Sequence, residues 1–440
     1  MSDQSLTWTS WRGGPIQGEI SVPGDKSISH RAIMLAALAD GTSRVEGFLE
    51  GEDTRATARI FAELGVRIET PSSSVRIVHG VGIDGLRAPT RDLDCGNAGT
   101  GMRLLSGILA GQNFASTLTG DDSLRKRPMR RVIDPLQAMG AKICSLDNGG
   151  LPPLRIAAAN LSGIRYTPAV SSAQVKSAIL LAGLYARGTT EVRENHPTRD
   201  YTERMLAAFG WPIEFGAGWA RLEGGQRLAA CDVGVPADFS SAAFFIVAAT
   251  LVPGSDLLIR SVGLNPRRTG LLTALESMGA DIVEQESREQ GGERVADLRV
   301  RHARLGGIDV PVALVPDMID EFPALFVAAA AAEGTTRISG AAELRVKESD
   351  RLAAMSSGLR KLGITVDETD DGATIHGGQI LGGQIDSHGD HRVAMSFAIA
   401  GLLAQQPIII NDCANVATSF PGFPELANGC GFVINQRGER

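Results

Sequence analysis

Residues 23–31 read Pro23-Gly24-Asp25-Lys26-Ser27-Ile28-Ser29-His30-Arg31. Pro and Gly break the alternating run Gly18-Glu19-Ile20-Ser21-Val22, whose period of two marks a short strand. Asp25 or Ser27 then caps a helix that continues apolar through Ile33, Met34, Leu35, Ala36 and Leu38. Lys26, Ser27 and Arg31 thus fall in or just after the first helical turn, with Ser27 and Arg31 on one face. Unpaired backbone N–H groups and the positive end of the helix dipole favour an anion there. Two cations and a hydroxyl at a helix start make a docking point for phosphate or carboxylate. A mononucleotide P-loop is excluded, because that motif needs Gly immediately before Lys-Ser and Asp25 stands in its place.

At 440 residues the chain exceeds one ordinary core, and two domains of roughly 200 residues are expected. A net charge of -7 argues against nucleic-acid binding, so affinity for anions must come from local clusters of cations. No apolar run approaches the about 18 residues of a membrane span. The polar stretch Met1–Arg12 lacks the apolar region of a signal peptide. The five cysteines include no C-x-x-C pair and are odd in number, which fits reduced thiols in a cytoplasm. His388 and His391 are three apart but have no further ligands at metal-binding spacing, so no metal is expected.

From the first helix outward, a unit repeats. It runs helix Ser27–Ala39, strand Ser43–Val45, helix Thr54–Leu64, Gly65, strand Val66–Ile68. Similar units start near Gly96–Gly101, Ser171–Gln174, Asp238–Ser241, Asp317–Glu321 and Asp390–Arg392. Six βαβαββ-like copies of roughly 70–80 residues fill nearly the whole chain. Both helices of each copy are apolar over much of their surface, so both should face a core. Three copies per domain imply an α/β architecture with helices inside and sheets outside. The crossings should fall near 23–24 and 235–238. That gives one domain of residues 24–238 and a discontinuous one of 1–23 with 239–440, the N-terminal strand pairing back into the latter.

Polar and charged residues gather at the helix starts: Lys26/Arg31, Asn97/Gly99, Arg127, Ser172/Gln174, Arg199/Tyr201, Asp320, Lys347/Glu348/Arg351 and His391/Arg392. If the helices of a domain run parallel, these ends face one way. Two such faces would enclose a cleft suited to ligands with several negative charges.

Eight collinear segments carry a family resemblance: Pro23–Ala32 (PGDKSISHRA), Gly96–Leu105 (GNAGTGMRLL), Lys126–Arg131 (KRPMRR), Ser171–Gln174 (SSAQ), Arg199–Met205 (RDYTERM), Met318–Phe322 (MIDEF), Glu343–Leu352 (ELRVKESDRL) and Asp390–Met395 (DHRVAM). Together they resemble the 5-enolpyruvylshikimate-3-phosphate synthases. The alternative is the paralogous enolpyruvyl transferase acting on UDP-N-acetylglucosamine. It typically opens with Lys-Asn where this chain has Lys26-Ser27, and it does not explain Ser172–Gln174 with Arg199–Tyr201.

The resemblance implies a two-domain inside-out α/β barrel, the enolpyruvyl transferase fold. It implies attack of the 5-hydroxyl of shikimate-3-phosphate on phosphoenolpyruvate, with phosphate leaving through a tetrahedral intermediate. Asp320 resembles the residue that holds and deprotonates the hydroxyl, Glu348 the carboxyl that exchanges a proton with the methyl carbon, and Lys26 a proton carrier or charge stabiliser. A carboxylic acid that donates a proton should be partly desolvated, and Lys347 and Arg351 oppose that role until bound anions neutralise them. The shikimate-3-phosphate set is Lys26, Ser27, Arg31, Ser172, Ala173, Gln174, Thr198, Arg199, Tyr201, Asp320 and Lys347. The phosphoenolpyruvate set is Lys26, Asn97, Gly99, Arg127, Gln174, Arg351, His391 and Arg392. The implied partners are these two small molecules only, with no cofactor, nucleic acid or membrane, in a cytoplasmic monomer that closes on shikimate-3-phosphate first.

Three departures from the family pattern matter. No Lys stands in Val416-Ala417-Thr418-Ser419-Phe420-Pro421, so Arg351 and Arg392 should carry more of the anion load. Ala173 replaces a Ser, and Leu104 stands where a large subgroup has Pro. Gly99 leaves room for glyphosate, a phosphoenolpyruvate mimic, and implies sensitivity. The KRPMRR and KESDRL signatures resemble those of the tolerant subgroup.

Overall fold

The structure, a computed structural model, describes residues 6–147 and 149–438. Residues 1–5, 148 and 439–440, which include the start of the polar Met1–Arg12 stretch and the outer limits of the expected discontinuous domain, lie outside the described residues. The chain divides into two compact units. The first holds residues 24–236 with Glu289–Glu293; the second holds the segment ending at Pro23, Ala237–Arg288 and the chain from Arg294 on. Ala237 and Asp238, expected with the first unit, group with the second. Their amides donate to Ser261 O (2.9 Å) and Pro23 O (2.8 Å).

Among the described residues the first unit contains α1 (Lys26–Leu38), α2 (Glu52–Glu63), α3 (Gly99–Ala110), α4 (Arg130–Ala138), α5 (Ala173–Gly183) and α6 (Tyr201–Ala208). The second contains α7 (Phe239–Leu251), α8 (Gly270–Met278), α9 (Phe322–Ala331), α10 (Arg351–Lys361), α11 (His391–Gly401) and α12 (Phe423–Cys430). Some helices start two or three residues before their first large apolar side chain, as at Gly99 rather than Met102, and α2 starts eight before Ile60. The first turns of α1 and α2 are polar, where free N–H groups need partners outside the core, whereas α9 begins with Phe322-Pro323-Ala324-Leu325.

Only the first helix of each repeat is enclosed. In α7 every side chain is buried, and α9 and α11 are nearly as covered. The second helices are one-sided: α4 buries Val132, Ile133, Pro135 and Leu136 and exposes its charges. The expectation that both helices face a core is therefore corrected. The physical reason is the Arg130, Arg131 and Asp134 face of α4, for which burial would cost several kcal/mol per unpaired ion. Small residues let the enclosed helices approach closely. A Cβ on Gly107 of α3 would collide with the carbonyl of Ala178 on α5.

Each unit carries three sheets. In the first repeat, Ala39–Glu46 pairs antiparallel with Val75–Val81, which pairs antiparallel with Arg67–Ser72, so the last strand sits in the middle. Leu228–Ala229 and Val233–Gly234 add to the free edge of Ala39–Glu46 in parallel, closing the first unit on itself. In the sixth repeat the N-terminal strand Leu6–Trp11 takes the middle place, antiparallel to both Ile408–Asn411 and Val433–Gly438. Gln17–Ile20 adds in parallel to Asp256–Gly263. Trp8 on the first of these strands stacks on Phe423 of α12 with ring centroids 5.7 Å apart, tying the N-terminal strand into the core of the second unit.

Candidate active site

In the first unit, the starts of α1, α3 and α5 meet. Asp25 caps α1, its carboxylate accepting from Ile28 N at 2.8 Å, so of the two candidate caps it is Asp25 that serves. The cap leaves Lys26 as the first helical residue. Its Nζ lies 2.5 Å from Asp53 Oδ2 on α2, with the carboxylate nearly enclosed. One turn deeper, His30 Nδ1 lies 2.8 Å from Thr57 Oγ1, again four residues on from Asp53. Burial, then Lys26, then Arg31 push His30 well down, so its ring is neutral near pH 7.

Arg31 is enclosed. Its Nε donates to Thr202 Oγ1 (2.7 Å), Nη2 to Ser177 Oγ (2.8 Å) and Nη1 to Ser27 O (2.9 Å). Three of the guanidinium's five N–H groups are thereby engaged within the protein. Burial, with Arg199 nearby, brings Arg31 down to about 10. Tyr201 packs on it, the guanidinium carbon lying 5.9 Å from the ring centroid.

The segment Thr198–Tyr201 rests on a buried ion cluster. Lys176 Nζ lies 2.8 Å from Glu194 and 2.9 Å from Glu203, with all three side chains almost wholly enclosed. Glu194 also accepts from Thr198 N (3.1 Å) and Thr198 Oγ1 (2.6 Å). The Thr198 hydroxyl, expected to help hold a phosphate, is thus engaged in bracing its own loop. Ser172 precedes α5 in extended conformation and makes no capping bond, and Ala173 is the first residue of that helix.

Gln174 bridges two elements. Its Oε1 accepts from Arg103 Nη1 (2.5 Å) and its Nε2 donates to Thr100 Oγ1 (2.8 Å). Arg127 Nη2 donates to Asn97 Oδ1 (2.6 Å), whose Nδ2 donates to Asp121 (2.7 Å). A Cβ on Gly99 would stand 2.9 Å from Arg127 Nη1. Arg103 and Asp53 were not singled out from the sequence. Arg103 lies four residues beyond Gly99 on one face of α3, and that spacing was the available signal.

In the second unit, Asp320 precedes α9 and faces three cations. Its carboxylate lies 3.2 Å from Arg268 Nη1 and 3.5 Å from both Lys347 Nζ and Arg351 Nη1. Arg351 is 1% exposed and forks onto Asp390, with Nε–Oδ2 2.8 Å; its Nη2 reaches Glu348 Oε2 at 2.6 Å. Asp390 caps α11, accepting from Arg392 N (2.9 Å) and Val393 N (3.4 Å). Arg392 turns its Nη1 to the Asp320 carbonyl (3.1 Å) and lies 3.6 Å from Glu321. His391 is buried beside it, while His388 is exposed, and no group of three metal-ligating side chains occurs among the described residues. Asp320, Lys347, Glu348, Arg351 and Arg392 therefore form one cluster. Lys26, Ser27, Arg31, Gln174, Arg199 and Tyr201 gather in the first unit, with Asn97, Gly99 and Arg127 joined through Arg103.

Six βαβαββ repeats in two units, each repeat enclosing its first helix, are the architecture of the enolpyruvyl transferases. A sequence profile described as EPSP synthase (3-phosphoshikimate 1-carboxyvinyltransferase) matches residues 11–426. The chain is 68% identical over 438 residues to the 3-phosphoshikimate 1-carboxyvinyltransferase of Xanthomonas campestris pv. campestris strain B100, covering 99% of this chain and 100% of that one. It is 67% identical to the protein of the same name from Xanthomonas euvesicatoria pv. vesicatoria, covering all of both chains. The solved EPSP synthase of Acinetobacter baumannii superposes with a TM-score of 0.90 at 49% identity, over 98% of this chain and 100% of that one. The chain belongs to the EPSP synthase family.

Proposed function

We propose that this protein transfers the enolpyruvyl group of phosphoenolpyruvate to the 5-hydroxyl of shikimate-3-phosphate, releasing phosphate, as a step of aromatic amino-acid biosynthesis. The observation that carries the proposal is the placement of Asp320 and Glu348 on either side of Arg351 (3.5 and 2.6 Å), with Lys347 beside Asp320. The chemistry asks for one carboxylate to take a hydroxyl proton and another to give a proton to the methylene carbon.

Asp320 accepts the proton of the 5-hydroxyl as its oxygen bonds to C2 of phosphoenolpyruvate. Glu348 delivers a proton to C3, which becomes methyl in the tetrahedral intermediate. Loss of a methyl proton back to Glu348, with cleavage of the C–O bond to phosphate, forms the enol ether, and the proton that Asp320 took from the 5-hydroxyl leaves with the phosphate. Lys26, set by Asp53, stabilises charge on the reacting groups or passes a proton. Ser27, Arg31, Ser172, Ala173 N, Gln174, Arg199, Tyr201 and Lys347 hold shikimate-3-phosphate, with Thr198 bracing the loop that carries Arg199. Arg31 would use its remaining N–H groups for the carboxylate. Asn97, Gly99, Arg127, Gln174, Arg351, His391 and Arg392 hold phosphoenolpyruvate, arginine being suited to carboxylate and phosphate by its planar fork.

The enzyme works as a cytoplasmic monomer and needs neither cofactor nor metal, since phosphoenolpyruvate carries its own activation. No helix among the described residues is long and apolar enough to cross a membrane. Carbon-13 NMR of the product from labelled phosphoenolpyruvate tests the reading. The label should appear as an enol ether on the 5-oxygen, and label recovered only as pyruvate would refute it.

A further inference from the structure

Arg268 lies in the turn before α8, away from every motif that marks the family resemblance. The turn is tight: Arg268 N donates to Asn265 O (2.8 Å) and Arg267 N to Asn265 Oδ1 (2.9 Å). Asn265 and Arg268 are both buried, at 2% and 5% exposure. The Arg268 fork reaches two helix starts at once. Nη1 donates to Asp320 Oδ2 (3.2 Å), and Nη2 donates to Ser240 Oγ (2.6 Å) and Asp238 Oδ1 (3.3 Å). Ser240 in turn hydrogen-bonds Glu321, the neighbour of Asp320, and Asp238 caps α7. The guanidinium therefore bolts the start of α7 to the start of α9 at the carboxylate that the proposed reaction needs.

We propose that Arg268 is a positioning residue for Asp320, holding its carboxylate in the one orientation from which it can accept the hydroxyl proton. The inference rests on the role given to Asp320 above. A planar fork held at Nη2 by Ser240 and Asp238 sets the direction of Nη1, which fixes Asp320 Oδ2 and turns Oδ1 toward Lys347 and Arg351. An aspartate free to rotate would divide its time among its cations, and a misplacement of about 1 Å can cost on the order of a hundredfold in rate.

The charges facing Asp320 are Arg268 from the turn before α8, Lys347 and Arg351 from around the start of α10, Arg392 of α11 at its carbonyl, and Glu321 beside it. Glu321 is raised by burial, against Arg268 and Arg392. Removing Arg268 takes away a cation 3.2 Å from the carboxylate and leaves Lys347 and Arg351, so the proton affinity of Asp320 rises.

The test uses steady-state kinetics of the full chain against pH. Arg268→Gln should lower kcat by about 10–100-fold, with KM for both substrates within about twofold. It should also move the acid limb of the kcat profile upward by about one pH unit. Arg268→Lys keeps the charge without the fork. It should return the acid limb to its original place but leave kcat reduced, and it serves alone if the Gln variant does not fold. Asp320→Asn separates the two ideas. If Asp320→Asn keeps full turnover, the role of Asp320 falls and this inference with it. If Asp320→Asn is inactive yet Arg268→Gln, or Arg268→Lys where it serves alone, keeps wild-type kcat, or if the Gln variant's acid limb stays unmoved, the inference alone is overturned.

Discussion

Arg351 and Asp390 form a forked ion pair inside the second unit, Nε–Oδ2 2.8 Å and Nη2–Oδ1 3.4 Å, with the two side chains 1% and 0% exposed. Asp390→Ala would take from the buried Arg351 fork its one fully enclosed partner, leaving Glu348 and Asp320, and would uncap α11, at a cost of about 3 kcal/mol. Urea denaturation should report that loss. Burial pushes the Asp390 carboxyl up, but Arg351 and His391 outweigh it and hold it below the ordinary aspartate range. A carboxyl lowered in the folded state contributes stability that is fully present above about pH 4 and is lost as pH falls through its lowered value. Denaturation midpoints between pH 7 and pH 2 should fall more steeply in the wild type than in Asp390→Ala; parallel curves would contradict the pairing.

Lys26 and Asp53 make a separate case, because the ammonium is partly exposed and an isosteric amide in place of the enclosed carboxylate should cost little stability. Asp53→Asn removes the charge that aims the ammonium across the start of α1. Turnover should fall by about 10–100-fold while the melting temperature shifts little. A large drop in melting temperature with unchanged kcat would assign Asp53 a purely structural role.

Gly99 is the tightest point beside Arg127. A methyl there would stand 2.9 Å from Arg127 Nη1 and force the guanidinium to move. Gly99→Ala should raise the glyphosate concentration needed for half-inhibition and also raise KM for phosphoenolpyruvate. Superimposable inhibition curves for wild type and variant would refute the steric account.

Arg127→Lys should weaken phosphoenolpyruvate far more than shikimate-3-phosphate. The planar fork of Arg127, which donates to Asn97 Oδ1 at 2.6 Å, matches a carboxylate or phosphate in a way that a lysine ammonium cannot. Titration calorimetry with each ligand checks the asymmetry, and equal weakening of both would count against the assignment.

Much of this was legible because polar residues at helix starts stand out against apolar helices. Lys26, Gln174, Asp320, Arg351 and Arg392 all occupy such positions, and the recurring helix-start segments mark the repeats. What stayed hidden was pairwise and long-range. Asp53 reads as an ordinary first-turn acid until α2 is laid beside α1. Arg268 reads as one of two arginines in a surface turn, yet Arg267 faces outward to Asp317 at 3.2 Å while Arg268 turns in. Hydrophobic content overstated the burial of the second helices, because the charged face of α4 shows only when its residues are placed around a helix axis. Arg31 was expected to point at a ligand. Its enclosure by Thr202 and Ser177 follows from α5 and α6 closing over α1, a packing that no local pattern records.

The most direct measurement is phosphate release by the purified full chain. With shikimate-3-phosphate and phosphoenolpyruvate together, phosphate should appear in stoichiometric amount with consumption of both. It should not appear with either alone, and it should stop in Asp320→Asn. Phosphate liberated from phosphoenolpyruvate without the second substrate, or no release with both, would contradict enolpyruvyl transfer.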